Sequence, residues 1–78
     1  MGYENMDAVK LGEDLKQLRI ENGETIEELA KAINTSASAV GMYECGKRIP
    51  RDEIKIRIAE HYQRSVESIF FRKERHVS

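Results

Sequence analysis

Leu11, Leu15 and Leu18 recur at i, i+4 and i+7 and the pattern stops at Asn22-Gly23, where glycine can take the left-handed conformation that ends a helix. The spacing predicts a first helix over about residues 8–22. Thr25-Ile26-Glu27-Glu28 then has capping-box spacing, with the Thr25 hydroxyl placed to accept from the Glu28 amide and the Glu28 carboxylate to reach back to Thr25. A second helix follows with Ile26, Leu29, Ala30 and Ile33 on one face. Asn34 tolerates a left-handed turn, and Ser36 can cap a third helix carrying Ala37, Val40 and Tyr43 at i, i+3 and i+6. Only about two residues separate these helices, too few for an antiparallel return, so they should meet at a tight corner.

The third helix ends at Cys45-Gly46, and GKRIPR over residues 46–51 reads as a loop with a glycine stop, a proline and three positive charges. Asp52 and Glu53 suit the N-terminus of a fourth helix over about residues 51–62. Its pattern is ambiguous: Ile54, Ile56 and Ile58 alternate as in a strand, while Ile54, Ile58 and Tyr62 form an i, i+4, i+8 stripe. Helix is preferred because no second strand exists to pair with it. Ser65 caps a short fifth helix in which Val66, Ile69 and Phe70 share a face, and the RKERHVS that closes the sequence is polar.

With 78 residues, 40% hydrophobic and 35% charged, the chain suffices for one core and not for two. The expected organisation is a flexible segment over residues 1–7, an all-α domain over residues 8–71 and a polar tail over residues 72–78. A lone cysteine, Cys45, cannot form an internal disulfide, and MGYENMDAVK has neither the apolar run of a signal peptide nor membrane-spanning length. The default location is the cytoplasm, with no membrane association. Met6 stands where an N-myristoylation pattern needs Ser or Thr, so acylation at Gly2 is set aside.

The formal net charge of -1 counts against nucleic-acid binding until its distribution is considered. Residues 1–35 hold eight acids and four bases, whereas residues 36–78 hold nine bases and six acids. A polyanion should therefore meet the second half, although a mixed-sign solvated surface would look the same.

From Leu11 to Phe70 the chain resembles the Cro/C1 (XRE-type, lambda-repressor-like) helix-turn-helix family. The resemblance is carried by LGEDLKQLR, TIEELAKAI, SASAVGMYECGKRIP and IRIAEHYQRSVESIF. Leu29-Ala30, the capping Ser36 and Tyr43-Glu44-Cys45-Gly46-Lys47 sit where the family has Leu-Ala, a Ser or Thr cap and an aromatic-Glu-x-Gly-Lys run. The resemblance implies a compact five-helix DNA-binding domain whose second and third helices form the helix-turn-helix. The third would enter a major groove about 12 Å wide while the second crosses the backbone.

By this resemblance Ala37, Ser38, Gly41 and Met42 face the groove. Ser38 is suited to a base edge, Ala37 to a thymine methyl and Met42 to sugars or methyls, but none makes a bidentate contact. Direct readout is therefore expected to be weak and supplemented by DNA shape or by an arm from the N-terminus. Phosphate contacts are expected from Thr25 and the neighbouring amides, from Lys47 and Arg48, from Arg51, and from Ser36 doubling as cap and donor. By the family pattern Arg19 and Glu44 form an ion pair tying the first helix to the end of the third, the alternative being two independent surface charges. The chain departs from the family at Ile26, where Gln is usual, at Glu24, where an apolar residue is usual, at Cys45, where Asn is common, and at Gly41, which costs helix propensity.

Leu15, Leu18, Leu29, Ile33, Val40, Ile58 and Ile69 are core by periodicity, with Tyr43 beside them. Phe70 and Phe71 are adjacent and cannot both point inward, so one is a candidate dimer contact, with edge packing the alternative. Cys45 reads as an unreactive thiol rather than a redox sensor, and His61 and His76 lack metal-ligand spacing with it. No metal or other cofactor is expected, and no nucleophile-base pattern, phosphate loop or acid-base pair points to an enzyme. The expected function is sequence-specific binding of double-stranded DNA at a pseudo-palindromic operator by a homodimer, as a transcriptional regulator, most simply a repressor of phage or mobile-element type. The alternatives are a protein-interaction module that kept the fold, with an antirepressor or adaptor role, and an antitoxin that also covers a toxin partner.

Overall fold

The computed structural model describes residues 7–70. Among them lie α1 (Ala8–Glu21), α2 (Ile26–Ala32), α3 (Ala37–Glu44), α4 (Asp52–His61) and α5 (Val66–Phe70), with no strand. Each start has a local chemical cause except that of α4. Asp7, a cap that the hydrophobic pattern did not reveal, accepts from the Val9 amide at 3.0 Å and the Lys10 amide at 3.3 Å. Thr25 and Glu28 close the expected capping box, with the Glu28 amide donating to Thr25 Oγ1 at 3.0 Å and the Thr25 amide to Glu28 Oε1 at 2.8 Å. The Ser36 hydroxyl accepts from the Ala39 amide and the Ser65 hydroxyl from the Ser68 amide. Arg51 precedes α4 without a side-chain cap, leaving Asp52 and Glu53 to complement the helix dipole.

One turn is used three times. After α1, α2 and α4 the chain passes through a cap residue, a residue at positive φ, one further residue and the next N-cap: Gly23-Glu24-Thr25, Asn34-Thr35-Ser36 and Gln63-Arg64-Ser65. The paired hydrogen bonds are those of a Schellman motif in each case, for instance Thr35 amide to Ala30 carbonyl at 2.9 Å and Asn34 amide to Lys31 carbonyl at 3.2 Å. Four residues, rather than the two expected, separate α2 from α3, because the cap residues at both ends lie outside the helices, and the closing hydrogen bonds leave them little freedom, so the corner is tight. Gln63 holds φ 56° without the help of a glycine or asparagine, in a turn closed by its own amide to the Glu60 carbonyl and the Arg64 amide to the Ala59 carbonyl.

Packing is organised around a close crossing of α1 and α3. A Cβ added to Gly12 would lie 2.3 Å from the Tyr43 carbonyl oxygen and 2.6 Å from that of Glu44, so the crossing exists only because residue 12 has no side chain. One turn earlier Gly46, at φ +80°, presses on Val9, where a Cβ would meet Cγ2 at 2.8 Å. Around this crossing Leu15, Leu29, Ile33, Val40 and Ile58 are fully buried. Each such side chain contributes about 1.5–3 kcal/mol relative to exposure. Ile69 joins them, whereas Leu18, expected in the core, is only half-buried and packs against its edge.

The ambiguous isoleucines resolve as a helix. Ile58 and Tyr62 are buried and Ile54 packs against the core, while Ile56 is 48% exposed because helical geometry turns it away from that stripe. Phe70 is 6% exposed and belongs to the core, with the buried Lys55 ammonium 5.7 Å from its ring centroid. Phe70 thus takes the packing alternative within this chain; Phe71, the other candidate dimer contact, lies outside the described residues, as do residues 72–78 and residues 1–6.

Two glycines give opposite expectations. Gly12→Ala must displace backbone carbonyls and should cost at least about 1–3 kcal/mol. Gly41→Ala meets nothing within 4 Å and should gain up to about 1 kcal/mol in helix propensity. Urea denaturation of the two variants, read as a fall and a rise in midpoint, checks both.

Candidate nucleic-acid interface

On α3 the 3.6-residue period separates two faces. Ala39, Val40 and Tyr43 are buried, and the opposite stripe carries Ala37, Ser38, Gly41 and Met42, with Ser38 exposed and the other three half-buried. All four residues expected at the groove are therefore on one side. That side is small and weakly polar, and no neighbour approaches Gly41. It offers shape and apolar contact with a single hydroxyl.

The cations expected at the phosphates border α3. The Lys47 and Arg48 amides both donate to the Met42 carbonyl, at 3.0 and 3.3 Å, so the Schellman turn that closes α3 also fixes where these two side chains leave the helix. Lys47, Arg48 and Arg51 are exposed, and none forms an ion pair with another described residue. Thr25 and Ser36 are exposed too; each uses its hydroxyl oxygen as an acceptor from a helix amide, which leaves the hydroxyl proton available to an acceptor outside the chain. Glu27 and Glu28 at the start of α2 oppose an approaching anion, so Lys47 and Arg48 are the stronger half of this surface.

Behind the surface sits a polar node. Arg19 Nε donates to Glu44 Oε2 at 2.6 Å, Nη2 to Glu44 Oε1 at 3.1 Å, and Nη1 to the Glu24 carbonyl at 2.7 Å. The two side chains are 11% and 6% exposed, so this is a largely desolvated, bidentate pair rather than two surface charges. The hydrogen bonds to Glu44 raise the Arg19 pKa further, against a smaller opposing effect of burial.

The sequence pattern did not reveal the node's other half. The Glu24 carboxylate accepts from the Tyr62 hydroxyl at 2.6 Å and meets the His61 ring at Nε2. Burial, reinforced by the Glu24 hydrogen bond, pushes the Tyr62 hydroxyl well above the usual tyrosine value. The available signal was an acid where the family carries an apolar residue, which demands a partner once folded. Arg57 was also missed: it donates to the Ile33 carbonyl at 3.3 Å and pairs with Glu53, tying α4 to the end of α2.

Other chemistry is sparse. Cys45 is exposed, with Sγ 3.8 Å from the Met42 carbonyl. Among the described residues no group of three or more His, Cys, Asp or Glu could hold a metal ion, and no helix is long and apolar enough to cross a membrane. A shallow groove between α1 and α5, lined by Leu18 and Ile69 with Asp14, Glu21 and Arg64, lies on elements other than the helix-turn-helix.

Comparison with known proteins agrees with this geometry. A helix-turn-helix family model matches residues 15–69. Among solved structures, the restriction-modification controller protein C.AhdI from Aeromonas hydrophila is 30% identical, with a TM-score of 0.77 over 82% of this chain and 97% of that one. The clp gene regulator ClgR from Corynebacterium glutamicum is 26% identical, with a TM-score of 0.75 over 85% of this chain and 70% of that one. The P22 c2 repressor, solved with a synthetic operator, shares the fold at 20% identity, with a TM-score of 0.74 over 78% of this chain and 92% of that one. A search of curated sequences returns no significant match.

The node supports two predictions. Arg19→Ala strands a buried carboxylate and should cost about 3–5 kcal/mol, whereas Arg19→Met combined with Glu44→Leu should recover much of that loss, both read from urea midpoints. Because the Tyr62 pKa is raised on folding, its stabilising contribution is intact below the unfolded-state value of 10.0 and is lost as pH climbs beyond it. Wild type should therefore lose stability above about pH 10 more steeply than Tyr62→Phe, a difference that thermal melts across pH 8–11.5 would read.

Proposed function

Because the chain belongs to the Cro/C1-type helix-turn-helix family of DNA-binding transcriptional regulators, we propose that it binds a two-fold operator as a homodimer and represses transcription by covering that operator. The observation that carries this reading is the continuity of the outer stripe of α3, open at Ser38 and Gly41, with the exposed Lys47 and Arg48 just beyond its end, neither of which forms an ion pair with another described residue. α3 lies in the major groove with Ser38, Ala37, Gly41 and Met42 toward the bases. Lys47 and Arg48 grip the flanking phosphates, and Thr25, Ser36 and Arg51 add contacts along the backbone.

Specificity on this reading is modest per subunit. With no residue on the outer stripe able to make a bidentate base contact, each half-site is read through one hydroxyl, methyl contacts and groove shape. Two-fold symmetry then matters: joining two weak half-site contacts raises the affinity far above that of either alone. The burial of Phe70 in the core favours a dimer surface elsewhere. The same economy of base contacts motivates the second reading, a protein-interaction module or antitoxin that retains the fold.

A selection from random duplex DNA at two salt concentrations tests the proposal, with retention of a palindromic site expected. Lys47→Ala and Arg48→Ala should each weaken binding across all sequences and flatten the dependence of log affinity on log salt by about 0.9 for each phosphate left without its cation. Failure to retain duplex DNA at low salt would transfer the assignment to the protein-interaction module.

A further inference from the structure

Glu24 has no polar atom to spare. Its amide donates to the Arg19 carbonyl at 3.1 Å, its own carbonyl accepts from Arg19 Nη1 at 2.7 Å, one carboxylate oxygen accepts from the Tyr62 hydroxyl at 2.6 Å, and the other meets His61 Nε2. Its side chain is 15% exposed. An apolar residue here would give the turn cohesion with α4 by burial, which is non-directional. A carboxylate held at both oxygens fixes the turn's position and rotation as well.

The consequence lies in what this turn carries. Residue 24 immediately precedes Thr25, which opens the helix-turn-helix, and the guanidinium that binds the Glu24 carbonyl also binds Glu44, three residues before Lys47. Both ends of the helix-turn-helix are thus referenced to Arg19, and Glu24 extends that reference to the C-terminal end of α4, while Arg57 links α4 separately to the α2–α3 corner through the Ile33 carbonyl. We propose that Glu24, gripped by Tyr62 and His61, is a positioning residue for the DNA interface: it holds the helix-turn-helix at a fixed orientation on α4, so that Thr25 and Lys47 reach phosphates together. This rests on the reading of the α2–α3 surface as the DNA interface. Glu24 touches no DNA; it acts through the backbone it anchors.

A merely structural role would lower stability and leave binding by the folded protein untouched, so the test is a double-mutant cycle on binding. Wild type, Glu24→Leu, Lys47→Ala and the double variant are titrated with random-sequence duplex DNA over a salt series, at a temperature where far-ultraviolet circular dichroism shows each to be folded. Tyr62→Phe, which removes one of the two grips conservatively, is carried through the same cycle and stands in if Glu24→Leu does not fold. Lys47→Ala is expected to weaken wild-type binding about tenfold and to weaken the Glu24→Leu or Tyr62→Phe background by no more than about threefold. The salt slope of either anchor variant should already be lower by about 0.9 or more per subunit. Equal losses in both backgrounds, with wild-type salt slopes in the anchor variants, would overturn the positioning role while leaving the DNA interface standing. A Lys47→Ala variant that binds like wild type would remove the interface itself, and the positioning role with it.

Discussion

Two carbonyl oxygens of α3, those of Tyr43 and Glu44, occupy the space that a side chain on residue 12 of α1 would fill. Nearly everything else in the domain depends on this approach. It brings α3 in far enough for Val40 to be fully buried, and it places Gly46 against Val9, so that the exit from α3 is braced by α1 as well as by the hydrogen bonds of its own closing turn. Dispersion contacts fall off over fractions of an ångström, so helices held apart by one methyl group would forfeit much of the attraction that this crossing supplies.

Such proximity also creates the conditions for the ion pair. Arg19 and Glu44 come within bidentate reach because their helices cross so closely, and both are shielded from water for the same reason. Charges in that position are costly unless every hydrogen-bonding group is matched. Here the third guanidinium donor finds the Glu24 carbonyl, and the Glu24 carboxylate finds Tyr62 and His61. An apolar contact and a polar network are thus stacked on one another, the first setting the distance and the second the direction.

Features with a local cause were legible in the sequence. Thr25 with Glu28, Ser36, Asn34 and Gly46 act through atoms a few residues away, and each performs the capping or turn role its chemistry suggests. The outer face of α3 came from the family resemblance rather than from periodicity, which places Ala37 on the inner stripe with Val40 and Tyr43. Gly12 was not legible, because a glycine inside a helix reads as a weakness until the opposing backbone is known. Gln63 looks unlike a left-handed residue, and the partners of Glu24 lie 37 and 38 positions along the chain. Their pairing exists only once α4 has docked. Leu18 packs against the core but is only half-buried, because periodicity gives the side of a helix that faces inward but not the depth to which a neighbour covers it.

The corner between α4 and α5 has the same sequence of backbone states as the corner between α2 and α3, with the same number of residues and the same pair of closing hydrogen bonds. With the corner between α1 and α2, one domain therefore holds three copies of a shape usually identified with DNA reading, and only one of them leads into a helix with an open outer stripe and basic residues beyond it. The bend itself is a joint for turning a chain within a small volume. On the reading proposed above, recognition rests on a few positions of α3 that the core does not claim, so a change of target preference there need not disturb the scaffold beneath.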